Sequence, residues 1–162
     1  MEALLEQFRK NYEYNYWAND QFLTALSDMS QPPEKAVKLM GHILFALDVW
    51  LARLKKEDLS RFTDPNPSYI LPECRQKLDE LHAKWKDYLA HLKPEEMKEK
   101  FVSINTQGKS TEQIVQNVLM HVVNHSHYHR GQLASLVNQG GGKRPNTDYI
   151  GYVFSLGEAK NL

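Results

Sequence analysis

The stretch Asn117-Val118-Leu119-Met120-His121-Val122-Val123-Asn124-His125-Ser126-His127-Tyr128-His129-Arg130-Gly131-Gln132-Leu133 holds four of the chain's seven histidines. Ile114, Val118, Val122, Leu133 and Leu136 recur around it at three- and four-residue steps, the period of an amphipathic helix. On such a helix His121, His125 and His129 stand at i, i+4 and i+8, so they share one stripe, read here as the inward one. His127 lies roughly 160° around from His129 at about 100° per residue and faces outward. His121 and His129 are about 12 Å apart along the axis, too far to chelate one ion together. The usable metal-binding pair is therefore 121/125 or 125/129, and spacing alone does not choose. A third ligand has to come from another part of the chain, since inward imidazoles need partners.

The chain around this stretch has 162 residues, enough to bury a core without staples, and reads as a single domain, 1–162. Twenty Lys+Arg balance 20 Asp+Glu and no basic block occurs, which argues against a nucleic-acid groove or an anionic membrane surface. Cys74 is the only cysteine, so no internal disulfide forms, as expected in a reducing cytosol. The N-terminus Met1-Glu2-Ala3-Leu4-Leu5-Glu6-Gln7-Phe8-Arg9-Lys10 is charged and amphipathic, unlike a signal peptide, and no stretch reaches membrane-spanning length. A soluble cytoplasmic protein is the expectation.

Four helices are expected. Residues 3–27 place Leu5, Phe8, Tyr12, Tyr16, Asn19, Leu23 and Leu26 on one face, and Asn19 is a polar amide that needs a partner there. Ser30-Gln31-Pro32-Pro33 ends that helix and opens a second, 34–57. Met40, Leu44, Leu47, Trp50, Leu51 and Leu54 of the second helix exceed what one bundle face is expected to absorb, and His42 lies on its other face with Phe45, Ala46 and Val49. Asp64-Pro65-Asn66-Pro67-Ser68 and Pro72 mark a loop over 58–71, long enough for a crossover. A third helix, 73–91, turns Leu78, Leu81, Trp85, Tyr88 and Leu92 inward, with His82 and His91 solvated beside lysines. Residues 100–105 alternate and suggest a short extended piece. Ser110-Thr111-Glu112-Gln113 reads as a capping box that opens the fourth helix, which Gly140-Gly141-Gly142 ends near Asn138. The apolar tail 143–162 should pack back on the bundle end.

Four amphipathic helices with long crossover connections imply an all-α four-helix bundle, whose metal sites are built in the core from facing helices. The sequence resembles the DinB-like superfamily of four-helix metalloenzymes, which includes the bacillithiol- and mycothiol-dependent S-transferases. Tyr16-Trp17-Ala18-Asn19, Gly41-His42-Ile43-Leu44 with Trp50, and His121 through Gln132 carry the match, the last block being the most specific. The resemblance implies one ligand early in the second helix and a pair on the fourth: His42, His125 and His129. His121 then lies one turn away. Asn19, His121, Arg130 and Gln132 are the candidates to line or support the site, Arg130 being expected to pair with a carboxylate. The resemblance also implies a homodimer.

Three neutral nitrogens leave a divalent ion with open positions and its full charge, which suits an anionic ligand such as a thiolate. Zinc or nickel is the expected ion, with iron and manganese as further options. The expected function is transfer of a low-molecular-weight thiol, bacillithiol-type, to a small electrophilic substrate. The alternatives are a metal-dependent hydrolase, ranked lower for want of a glutamate base beside the histidines, and a non-catalytic metal-binding or stress-induced protein.

Overall fold

A run without proline or glycine folds as helix α1, Glu2–Ser27, and the first proline pair closes the link to α2, Glu34–Leu54. The computed structural model describes residues 1–104 and 108–158. After α2 come α3, Leu71–His91, a 3₁₀ turn at Glu96–Lys98, strands β1, Lys100–Ile104, and β2, Ser110–Ile114, then α4, Val115–Gln139, and a short α5, Tyr149–Ser155. Helix α1 packs on α3 and α4, and α2 packs on the same two, so the chain's first two helices occupy opposite corners of a four-helix bundle. The α2–α3 loop joins neighbours, whereas residues 92–114 carry the chain across the bundle from α3 to α4. Leu5, Phe22, Leu26, Met40, Ile43, Leu44, Leu81 and Leu119 are almost fully enclosed where the four helices meet.

The start of the fourth helix differs from the sequence expectation. Ser110 does not cap a helix: Ser110–Ile114 is an edge strand, antiparallel to Lys100–Ile104, with Lys100 opposite Ile114 and Ile104 opposite Ser110. The alternation over 100–105 was therefore the better local signal, as far as Ile104; Asn105 lies outside the described residues. Thr111 Oγ1 donates to the Ser103 carbonyl across the ladder and Lys100 pairs with Glu112 at 2.7 Å, so side chains of both strands tie the hairpin together. The third helix begins two residues earlier than expected because Pro72 is accommodated in its first turn, where no amide proton is needed. Helix α2 ends three residues earlier, at Leu54.

Met40, Leu44, Leu47 and Leu51 are all buried within the single chain, so the surplus face that argued for a homodimer is absorbed by its own core. Trp50 and Leu54 are left half-buried. At the end of α4, Gly141 adopts φ +77° and the Gly142 amide closes back on the Val137 carbonyl at 2.9 Å, which stops the helix. The tail returns to α1: Tyr152 packs on Tyr14 and Trp17, and the Tyr14 hydroxyl donates to the Thr147 carbonyl at 2.7 Å. Only part of the tail's apolar side is covered, since Ile150 and Phe154 stay exposed, and residues 159–162 of the expected tail lie outside the described residues.

Because Ser110 sits exposed in a strand, Ser110→Ala should change unfolding free energy by less than about 0.5 kcal/mol, where loss of a helix cap costs about 1. Leu119→Ala, emptying an enclosed position of α4, should cost about 2–5 kcal/mol. Urea unfolding of the two variants checks both; a Ser110→Ala loss of cap size would contradict the strand.

Candidate metal centre

His125 and His129 are one turn apart on α4, and their Nε2 atoms face each other at 3.2 Å. His42 arrives from α2, the neighbouring helix, with its ring centroid 5.1 Å from that of His125 and 4.8 Å from that of His129. Each of the three offers a ring nitrogen within 4.8 Å of the others, so they could hold a metal ion. All three are half-buried, at the margin of the bundle and not in its centre. The stripe read as inward is therefore a boundary stripe: α4 turns Val118, Val122, Ser126, Arg130, Leu133 and Val137 to the core instead.

The tautomers suit a cation. The His42 Nδ1 lies 2.8 Å from the Pro65 carbonyl, which can only accept, so Nδ1 carries the proton and Nε2 keeps its lone pair. The α2–α3 loop comes close enough to do this because residue 41 is glycine: a Cβ there would stand 2.8 Å from the Pro67 carbonyl oxygen. His129 donates Nδ1–H to the Gln132 side-chain oxygen at 2.8 Å, which again leaves Nε2 free. His125 has no such anchor, and its Nδ1 is buried without a partner. Tetrahedral ligands at about 2.0–2.1 Å from zinc stand about 3.3 Å from one another, close to the separation already held by His125 and His129. Three imidazole nitrogens are a donor set that fits a divalent ion.

Burial pushes His125 down to about 4, and the nearby His129, His42 and His121 push the same way. It is neutral at pH 7 and ready to ligate. His121 is also lowered, first by burial and then by the Arg53 guanidinium. Its ring lies 5.6 Å from that of His125 and edge-on to Trp50 at 5.2 Å, beside the trio and outside it. Gln132 adjoins the site as the partner of His129.

Asn19 and Arg130 do not adjoin it. Arg130 is 2% exposed, yet among the described residues no carboxylate meets it, contrary to the expected pairing. Its Nη1 donates to the Asn15 oxygen at 2.6 Å and to the Asn19 oxygen at 3.0 Å, with the guanidinium 5.5 Å over the Tyr14 ring. His82 is not solvated either: it stacks on Tyr16 at 3.9 Å and reaches Glu13 at 2.9 Å. Sequence reasoning missed Arg53, which lies over the Trp50 ring at 4.5 Å and brings a cation to the edge of the site. Its position eleven residues after His42 on the same helix was the available signal. Pro65 was also missed; the signal was a proline-rich loop following a helix that carries Gly41-His42.

A four-helix bundle whose facing helices present three histidines at its margin defines a class of candidate metal-binding proteins. The chain belongs to the DinB family, whose family model matches residues 2–160. It is 26% identical over 159 residues to Protein DinB of Bacillus subtilis (strain 168), covering 90% of this chain and 92% of that one. A crystal structure of a DinB-like protein from Bacillus cereus ATCC 10987 superposes with a TM-score of 0.66 at 18% identity, covering 87% of this chain and 95% of that chain, and shows the same fold. Among the described residues, no helix is long and apolar enough to cross a membrane.

His125 gives the fold a pH signature. Its ordinary value of about 6.5 applies in the unfolded chain, which takes up the proton first as pH falls. Stability of the metal-free protein should therefore fall between about pH 6.5 and about 4, the native value. Carboxylates titrate in the lower part of that window too, so the reading is a difference. His125→Gln should flatten the dependence of the thermal midpoint on pH between 7 and 4.5; identical slopes would show that His125 is not held neutral.

Proposed function

We propose that the protein is a metal-dependent enzyme that transfers a low-molecular-weight thiol, of the bacillithiol type, to a small electrophile. The observation that carries this reading is the three-histidine cluster itself: three imidazole nitrogens from two helices, half-buried, with no carboxylate or thiol joining them among the described residues. Structural zinc sites are closed by four protein ligands, whereas three ligands with an open side suit catalysis. That contrast favours an enzyme over a purely structural metal protein.

His42, His125 and His129 hold the ion in this scheme, with Pro65 and Gln132 fixing the proton on the far nitrogen of two of the rings. A divalent ion bound there supplies positive charge that favours thiolate over thiol at neutral pH. Arg53 adds a second cation at the edge and attracts the anionic end of an incoming molecule. The thiol sulfur forms a bond to the electrophilic carbon, and the leaving group departs with the bonding electrons of the bond it breaks. The protein's own thiol is unsuited to this role: Cys74 is enclosed and burial pushes it up to about 11. The nucleophile must then enter from solution. A cytosolic setting, where such thiols are kept reduced, belongs to the same reading.

His125→Ala should abolish metal-dependent thiol transfer while the helical bundle stays folded, because a core of this size does not need metal to form. Added zinc or nickel should raise the thermal midpoint of the parent and not that of the variant, the rise growing with free metal concentration. Transfer rates and midpoints for both proteins, with and without metal, test the proposal; equal transfer rates would remove it. The homodimer implied by resemblance is part of the proposal chiefly on that ground, since Met40, Leu44, Leu47 and Leu51 are covered within the chain and only Trp50 and Leu54 of that face stay half-buried. Sedimentation at micromolar concentration should show a dimer, and a monomer would count against it.

A further inference from the structure

Beside the histidine trio, α2 and α4 carry a short row of side chains that ends in a charge. On α4 the row holds His121, exposed and one turn before His125, with the two rings 5.6 Å apart. On α2 it holds Trp50, whose ring meets His121 at 5.2 Å, and Arg53, whose guanidinium lies 4.5 Å over the Trp50 ring. Arg53 follows His42 by eleven residues, about 16 Å along the axis at ~1.5 Å per residue. Its long side chain leans back toward the helix N-terminus, so the charge stands on the order of 10 Å from the histidines.

Arg53 is half-buried, and its donors are only partly used. Its Nη2 donates to the Ile104 carbonyl of β1 at 3.3 Å, and its Nε is enclosed without a partner. Its Nη1 is not enclosed and has no partner among the described residues. The acidic side chains nearest in sequence are committed elsewhere: Glu57 to Lys55 at 3.3 Å and Arg61 at 3.2 Å, and Asp48 to Arg61 and Lys77. Burial lowers the guanidinium from its ordinary value, whereas a carboxylate beside it would raise it. It stays charged at pH 7 all the same. The Trp50 ring and the Ile104 carbonyl hold the fork in place, so little ordering remains to be done when an anion arrives. A carboxylate arriving end-on uses Nη1 and the second Nη2 hydrogen, and the enclosed Nε is not needed. One full charge matches one carboxylate and leaves a phosphate dianion half-compensated.

We propose that Arg53 selects the thiol: the molecule whose sulfur meets the ion carries a carboxylate on the order of 10 Å away, which docks end-on against the Arg53 Nη atoms. The place of the sulfur rests on the thiol-transfer reading; the docking of the carboxylate does not. His121 and the edge of Trp50 border the path between the two ends. A thiol without an acid group, or with one close to its sulfur, loses the contact.

Two titrations test this. In the first, the metal-free full chain receives butyrate or 1-butanol while the Arg53 Nε–H and Trp50 indole N–H resonances are followed. Butyrate should shift both saturably, more weakly as salt is added, and butanol should shift neither. In Arg53→Gln the Trp50 shift should vanish. In the second, calorimetry follows the zinc-loaded chain with 8-mercaptooctanoate, whose two ends stand about as far apart as Arg53 and the histidines, and with 8-mercapto-1-octanol and 3-mercaptopropionate. The long acid should bind about tenfold tighter than the long alcohol, the difference that a charge-assisted contact makes at a half-buried site. Arg53→Gln should bring the two level, and the short acid should gain far less from Arg53. Butyrate shifts that are absent, or gathered at His42, His125 and His129, would overturn the carboxylate site. Equal binding of long acid and long alcohol by the parent would overturn its part in choosing the thiol. If neither long thiol binds, the thiol-transfer reading falls and the selection with it, while the butyrate shifts decide the carboxylate site separately. If Arg53→Gln does not fold, the parent's butyrate shifts and its acid-to-alcohol ratio decide.

Discussion

Arg130 brings a positive charge into the middle of the bundle, and what meets it there is two asparagine oxygens and the face of a tyrosine. Both asparagine contacts are made by Nη1, and Nε and Nη2 are buried without a hydrogen-bond partner among the described residues, so a rotation of α4 that broke them would strand the charge altogether. The orientation so held decides where the histidines go. Arg130 follows His129 by one residue and Ser126 follows His125 by one residue, so the two pairs stand about 100° apart around the helix. With Ser126 and Arg130 held by Asn15 and Asn19 on α1, His125 and His129 turn toward α2. There His42 waits. The buried network makes no contact with a metal ligand's ring, yet it aims two of the three.

The third ligand is aimed by a different device. His42 lies on α2, and nothing on that helix itself chooses its tautomer. The loop that follows α2 folds back over Gly41 and presents the Pro65 carbonyl to Nδ1. A side chain at position 41 would push the Pro67 backbone away, and with it the anchor of the imidazole. Glycine costs helix stability in such a place. Here it permits the approach that leaves the opposite nitrogen unprotonated toward α4.

Much of this was legible in the sequence, and what was not legible has physical reasons. The long apolar periods of α1, α2 and α3 name their core residues because each helix buries one continuous face, as Leu5, Phe8, Tyr12, Leu23 and Leu26 do. Ser110–Gln113 misled because a capping box is a local pattern, while the edge strand that it forms depends on a partner strand across the hairpin. Arg130 misled because arginine usually finds a carboxylate, and the two asparagines that replace it lie over a hundred residues away. Asn19 had signalled the need for a partner without saying which. The α2 face looked too broad for one chain because its length of apolar surface was counted without α3 and α4, which both lie against it. His82 looked solvated from its lysine neighbours, but Tyr16 and Glu13, from another helix, cover it.

The position of the histidines at the margin follows from the same packing. A fully enclosed trio would have to be neutral, desolvated and closed, and any molecule meant to reach an ion there would have to open the bundle first. At the margin, α4 keeps Val118, Val122 and Leu133 for the core and leaves the histidine stripe half-covered by α2. His125 is buried enough to stay neutral at pH 7, so protons compete little with a cation for it, while the outer side of the trio faces solvent. His121 and Arg53, further along the same edge, extend a polar rim beyond the ligands without adding a fourth donor to them. The bundle thus separates two tasks along one helix: the core face of α4 holds the fold by a buried arginine, and the face one residue back offers nitrogens to the outside. Moving the stripe inward by even one position would exchange those faces and lose both.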